Sequence, residues 1–148
     1  MNYTRVALAG LIAWVVDSVY GYLVFGLAMS DEFARYPGVF RSFAAVNSLL
    51  PLMFGSSLLG MLVVAYIFAK GHEGRSPLQE GLRFGVVFAS FGLFSIQIPS
   101  YVIYSYGRRL AALSAVAAFV EMILAGMVVG MVYKPANPAS RSARPAGV

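Results

Sequence analysis

The chain has 148 residues, of which 59% are hydrophobic and only 11% charged, with a formal net charge of +5. A soluble domain carries about a quarter charged residues, so a chain this apolar, with a mean hydropathy of +0.76, has lipid rather than water as its solvent. It contains no cysteine, which excludes disulfides, thiolate metal sites and cysteine nucleophiles. The basic residues are spread between apolar runs and never form a dense block with aromatics, which excludes nucleic acid and fits anionic headgroups of membrane lipids.

The first apolar run covers residues 6–29 and carries Asp17 at its centre. Ala28-Met29-Ser30 resembles a signal-peptide cleavage site, but the run is longer than a signal core, so it is expected to persist as a helix. The connection 30–48 follows. Phe33, Tyr36, Phe40 and Phe43 recur there at three- and four-residue steps among Asp31, Glu32, Arg35 and Arg41. The pattern predicts a short amphipathic segment in the membrane interface, broken near Pro37-Gly38, with a plain aromatic loop as the alternative.

The second run spans residues 49–69, and Gly71-His72-Glu73-Gly74-Arg75 makes a flexible turn. Ser76-Pro77-Leu78-Gln79 then reads as a helix start, with a capping serine, proline at the first helical position and a glutamine able to close the box. The third run, 83–106, therefore begins before its apolar stretch, and Pro99 is expected to kink it. Gly107-Arg108-Arg109 is a tight hairpin into the fourth run, 110–133. Each run exceeds the ~20 residues that a helix needs to cross ~30 Å of hydrocarbon. The fold expected is an all-α bundle of four transmembrane helices over residues 1–134. Residues 135–148, rich in Pro, Ala and Ser, are expected to be a disordered basic tail.

Four spans put both termini on one side. That side holds Arg5, Lys70, Arg75, Arg83, Lys134, Arg141 and Arg144, against Arg35, Arg41, Arg108 and Arg109 on the other. The positive-inside rule then places both termini in the cytoplasm of a multi-pass protein of the cell (inner) membrane.

Asp17 and Glu121 each lie mid-run, where a charge costs roughly 2.5–3.5 kcal/mol, so neither is expected to face lipid. Gly10, Ala13, Asp17, Gly21 and Ala28 form one small-residue stripe, and Ser114, Ala117, Glu121 and Ala125 another. Such stripes permit close approach. Helices one and four are therefore expected to pack antiparallel with the acids level. No Lys, Arg or His lies at that depth, so at least one acid is expected to be protonated. The pair serves either as a proton or cation relay, or as neutral acids hydrogen-bonded to each other or to Ser18, Tyr20, Ser56, Ser57 or Gln97. Two GxxxG motifs, Gly81 with Gly85 and Gly126 with Gly130, are helix-packing candidates, within the bundle or between copies.

Other chemistries find no residues. His72 and Glu73 alone do not make a metal site, and no histidine lies in a span to ligate haem. The loop glycines lack phosphate-binding spacing, and no serine has a histidine base placed for a triad. No cofactor and no catalysis are expected.

Asp17-Ser18-Val19-Tyr20-Gly21-Tyr22 and Glu80-Gly81-Leu82-Arg83-Phe84-Gly85, in a four-span layout, resemble small uncharacterised bacterial four-helix integral membrane proteins. The resemblance covers most of the chain and implies no activity. Small multidrug transporters also have four helices and an acid in the first span, but this chain is longer, adds Glu121 and lacks their motifs. The reading expected from sequence is a non-catalytic accessory or assembly subunit, or a homo-oligomeric membrane scaffold. The alternative is a small proton- or cation-coupled transporter using Asp17 and Glu121.

Overall fold

The computed structural model describes residues 2–74 and 76–133; the expected tail, 135–148, lies outside them. Four helical spans, each long and apolar enough to cross a membrane, run over Tyr3–Ala28, Phe43–Lys70, Pro77–Ile103 and Arg108–Val132. Span 1 is α1 (Tyr3–Gly21) continued by a π-helical stretch, Tyr22–Ala28. A short helix, α2 (Ser30–Ala34), precedes span 2, which is α3 (Phe43–Lys70). Span 3 comprises α4 (Pro77–Gly92), a π turn (Leu93–Gln97) and α5 (Ile98–Ile103); span 4 is α6 (Arg108–Val132).

The helix starts follow from capping. Ser42, in extended backbone, accepts from the Ala45 N–H at 3.4 Å, and so opens span 2 six residues ahead of the apolar run that marks it in the sequence. Ser76 accepts from the Gln79 N–H at 3.4 Å, with Pro77 in the first turn, as the sequence pattern requires. Pro99 does not end span 3. Lacking an N–H, it leaves the turn before it short of a hydrogen bond, and the chain widens there into the π turn and continues as α5.

Spans 1 and 4 form the centre, with span 2 packed on span 1 and span 3 packed on span 4. Spans 2 and 3 barely touch, although only residues 71–76 join them. We call the end holding this loop, Tyr3 and Tyr133 the proximal end, and the end holding α2 and Gly107 the distal end. The proximal half is tightly packed around Val6, Ala9, Ala13, Met61, Ala65, Phe68, Ala125 and Val129. A β-carbon on Gly10 would stand 3.0 Å from the Leu62 Cα.

Spans 3 and 4 approach closest of all, because the two GxxxG motifs interlock within one chain. A β-carbon at Gly126 would stand 2.5 Å from the Gly85 Cα, and one at Gly81 would stand 2.6 Å from the Gly126 carbonyl oxygen. Both motifs are therefore used inside the bundle.

The distal half is open. No residue of α3 before Met61 is buried, and none of span 3 beyond Ala89. A smaller cluster closes the distal ends of spans 1 and 4, where Met29, Leu110 and Ala117 are covered by Phe33, Tyr36, Phe40 and Tyr106. Glu32 bridges Arg109 at 3.2 Å and Arg35 at 3.6 Å. Three of the four aromatics assigned from sequence to an interfacial segment thus turn onto the protein, and Phe43 is the exposed one. The reason is that Leu110 and the ring of Tyr106 offer them an apolar seat.

Candidate functional site

Asp17 stands on α1 one turn beyond the buried Ala13, and Glu121 on α6 one turn before the buried Ala125. The register between these antiparallel helices is read from two contacts. The Tyr20 hydroxyl donates to the Ala117 carbonyl at 3.0 Å, and a Glu121 carboxylate oxygen lies 3.4 Å from where a β-carbon on Gly21 would stand. Stepping three residues back from Tyr20 on α1 means stepping about as many forward from Ala117 on α6, which sets Asp17 level with Glu121. Both are only half-buried, because the packed proximal core ends one turn away, at Ala13 and Ala125.

The hydroxyls and amides named from sequence as partners for these acids are engaged elsewhere or out of reach. Tyr20 bonds Ala117, Ser56 returns its hydroxyl to the Met53 carbonyl at 2.9 Å, and Ser57 returns its own to the Phe54 carbonyl at 3.2 Å. The Ser18 Oγ, beside Asp17 in the chain, is buried with no partner among the described residues. Gln97 lies in the π turn of span 3, against the far side of α6 with Ala115, Ala118 and Phe119. No donor of another described residue is bonded to either carboxyl.

Two polar arrangements are harder to see in the sequence. Trp14, the only tryptophan, donates its indole N–H to the Phe54 carbonyl at 3.1 Å and to the Ser57 hydroxyl at 3.0 Å, tying span 1 to span 2. The available signal was the residue type, since a buried indole N–H seeks an acceptor. At the proximal end, Glu80 is the buried charged residue of the described chain, 7% exposed. It meets His72 Nδ1 and accepts the Glu73 backbone N–H at 3.0 Å. Its signal was position, because a carboxylate in the first turn of a capped helix is favoured by the helix dipole. Among the described residues no group of three or more His, Cys, Asp or Glu is arranged to hold a metal ion.

No protein-family model, curated protein or solved structure matches the chain.

Proposed function

We propose that this chain is a non-catalytic subunit of a larger assembly in the cell (inner) membrane, and that its partner covers the open face at Asp17 and Glu121. The observation that carries this reading is a pair of half-buried carboxyls, level with each other in mid-span, with no donor bonded to them among the described residues. Left against hydrocarbon, each costs roughly 2.5–3.5 kcal/mol. A second membrane surface seated there removes that cost, and the bare distal halves of spans 2 and 3 offer it area. A homo-oligomer is the simplest such assembly. In this reading both termini face the cytoplasm, following the seven-to-four distribution of basic residues.

The test is the mass of the particle extracted into native-lipid nanodiscs, for the wild-type chain and for Asp17→Asn with Glu121→Gln. The wild-type particle is expected to exceed one chain, and the double variant to fold yet separate into single chains. A wild-type particle of one chain, or an assembly indifferent to the double substitution, would defeat the proposal.

A second reading is favoured by the partial exposure of both acids in mid-span. Intramembrane carboxyls that are not closed off by their own chain are open to protons or cations. Under that reading the same double variant assembles normally and loses pH-driven uptake in liposomes, so one pair of substitutions separates the two.

A further inference from the structure

Spans 3 and 4 meet backbone to backbone at Gly81, Gly85, Gly126 and Gly130, toward the proximal end. Farther along, a groove opens between them, because the sequence places little there to fill the space. Gly92 has no side chain, and nothing lies within 4 Å of where its β-carbon would stand. The π turn Leu93–Gln97 then widens span 3 ahead of Pro99. On the facing wall α6 offers the small Ala115 and Ala118. The groove measures about 180 Å³, with Ile96 and Gln97 on the span 3 side and Phe119 and Met122 on the span 4 side. Gln97 is the polar residue of its lining, and neither Asp17 nor Glu121 takes part.

A pocket for a drug-sized ligand has about 300–1,000 Å³, so this groove suits a single narrow chain. Left empty, its walls would lose dispersion contacts, and an apolar lining gives water too few partners. Hydrocarbon is the medium that fills it. Arg108 distinguishes it from a plain crease between helices. Arg108, Ala115 and Met122 follow one another on α6 at seven-residue steps, close to two turns each, so they share one face. From Arg108 to Met122 the helix rises about 21 Å, and half a bilayer with its headgroup layer is about 20–22 Å. With the groove's floor at the midplane, the guanidinium therefore stands among the headgroups of the distal leaflet. Arg109 is engaged by Glu32 at 3.2 Å. Arg108 is exposed and forms no ion pair among the described residues. An acidic lipid brings a counter-charge to that height and a hydrocarbon chain to the groove beneath it.

We propose that the groove holds one acyl chain of an acidic phospholipid from the distal leaflet, with the phosphate paired to Arg108 and the Gln97 amide turned to the ester carbonyls. The bound chain takes the place of the side chains that Gly92, Ala115 and Ala118 lack, and so completes the packing of spans 3 and 4.

The test offers the purified full-length chain, delipidated in detergent, an equimolar mixture of phosphatidylglycerol and phosphatidylcholine with matched acyl chains. Retained lipid is counted by native mass spectrometry. One lipid per chain is expected to outlast the rest, with phosphatidylglycerol preferred roughly fivefold, the worth of one basic residue at an anionic surface. Arg108→Gln should keep a lipid and erase the preference. Gly92→Leu fills the groove from span 3 and Ala115→Leu fills it from span 4. Either should lose the retained lipid, so a variant that fails to fold leaves the other to decide, and Arg108→Gln decides without filling the groove at all. Gly60→Leu, at an exposed glycine of span 2 with equally open space around it, should bind as wild type. Retention indifferent to the headgroup, a preference that survives Arg108→Gln, or a lipid that survives a filled groove overturns the proposal. So does a particle that drops from several chains to one when the groove is filled, because a second copy would then be its occupant. Neither mid-span acid lines the groove, so this result is read separately from that of Asp17→Asn with Glu121→Gln.

Discussion

Replacing Gly126 by alanine tests the close approach of spans 3 and 4. The added β-carbon would stand 2.5 Å from the Gly85 Cα and 2.7 Å from both the Gly81 carbonyl oxygen and the Gly85 nitrogen. Carbon atoms rest about 3.5–4.0 Å apart, so the two backbones must part by about 1 Å. Every obstructing atom is backbone, and no side-chain rotation relieves the clash. Overpacking of this kind costs about 1–3 kcal/mol, and rigid neighbours place Gly126→Ala at the upper end. Helix propensity works the other way by about 1 kcal/mol, leaving a net loss of about 2 kcal/mol. Gly60→Ala supplies the reference, because nothing lies within 4 Å of its β-carbon position. Propensity alone should then stabilise that variant by up to about 1 kcal/mol. The assay is reversible unfolding in mixed micelles titrated with dodecyl sulfate, followed by circular dichroism. The two variants should differ by about 3 kcal/mol. Equal stability would mean that spans 3 and 4 do not approach through their glycines.

Trp14→Phe removes the N–H shared by the Phe54 carbonyl and the Ser57 hydroxyl, and should cost about 1–2 kcal/mol in the same titration; no loss would mean that spans 1 and 2 are held by packing alone. At the distal end the Tyr36 hydroxyl occupies the space of a Gly107 β-carbon. Gly107→Ala should therefore destabilise the wild-type chain but be tolerated beside Tyr36→Phe, and a double-mutant cycle showing no coupling would refute that contact. For orientation, single cysteines at Ser42 and Ser76 should differ in labelling by an impermeant thiol reagent on intact cells, with Ser42→Cys reactive and Ser76→Cys protected. The reverse pattern would invert the membrane topology.

The four helical spans were legible because each apolar run exceeds a membrane crossing and is bounded by turn residues. Their starts were less legible. Ser42 is one serine among several polar residues, and hydropathy alone sets the boundary at Leu49, where the apolar run resumes. The sequence of span 4 likewise shows a GxxxG without showing its partner. Gly81 and Gly85 became that partner because the Gly107 hairpin makes spans 3 and 4 antiparallel neighbours, which brings two glycine pairs into register. The neighbours of the distal aromatics were illegible for a related reason. Period alone gives a face, and the tertiary neighbour (Tyr106 and Leu110 here) decides whether that face meets lipid or protein.

The molecule's polar groups also divide by whether their own helix can satisfy them. A hydroxyl in a span can return its proton to a carbonyl one turn back, as Ser48 does to Ala45 at 2.8 Å and Ser90 to Val86 at 2.8 Å. Such residues sit in lipid at little cost, which is why the bare distal half of span 2 tolerates Ser48 and Ser56. A carboxylate has no such recourse, since every N–H of the helix interior is already donated along the backbone. Asn47 and Gln97 lie toward the distal ends of their spans. Asp17 and Glu121 lie mid-span, beside the buried Ser18 hydroxyl that also has no partner in the described chain. The mid-span polar groups of spans 1 and 4 are thus gathered at one level, where the packed half gives way to the open half. A second chain or a proton in passage, the two occupants proposed above beside the acids, would each answer their demand at this level.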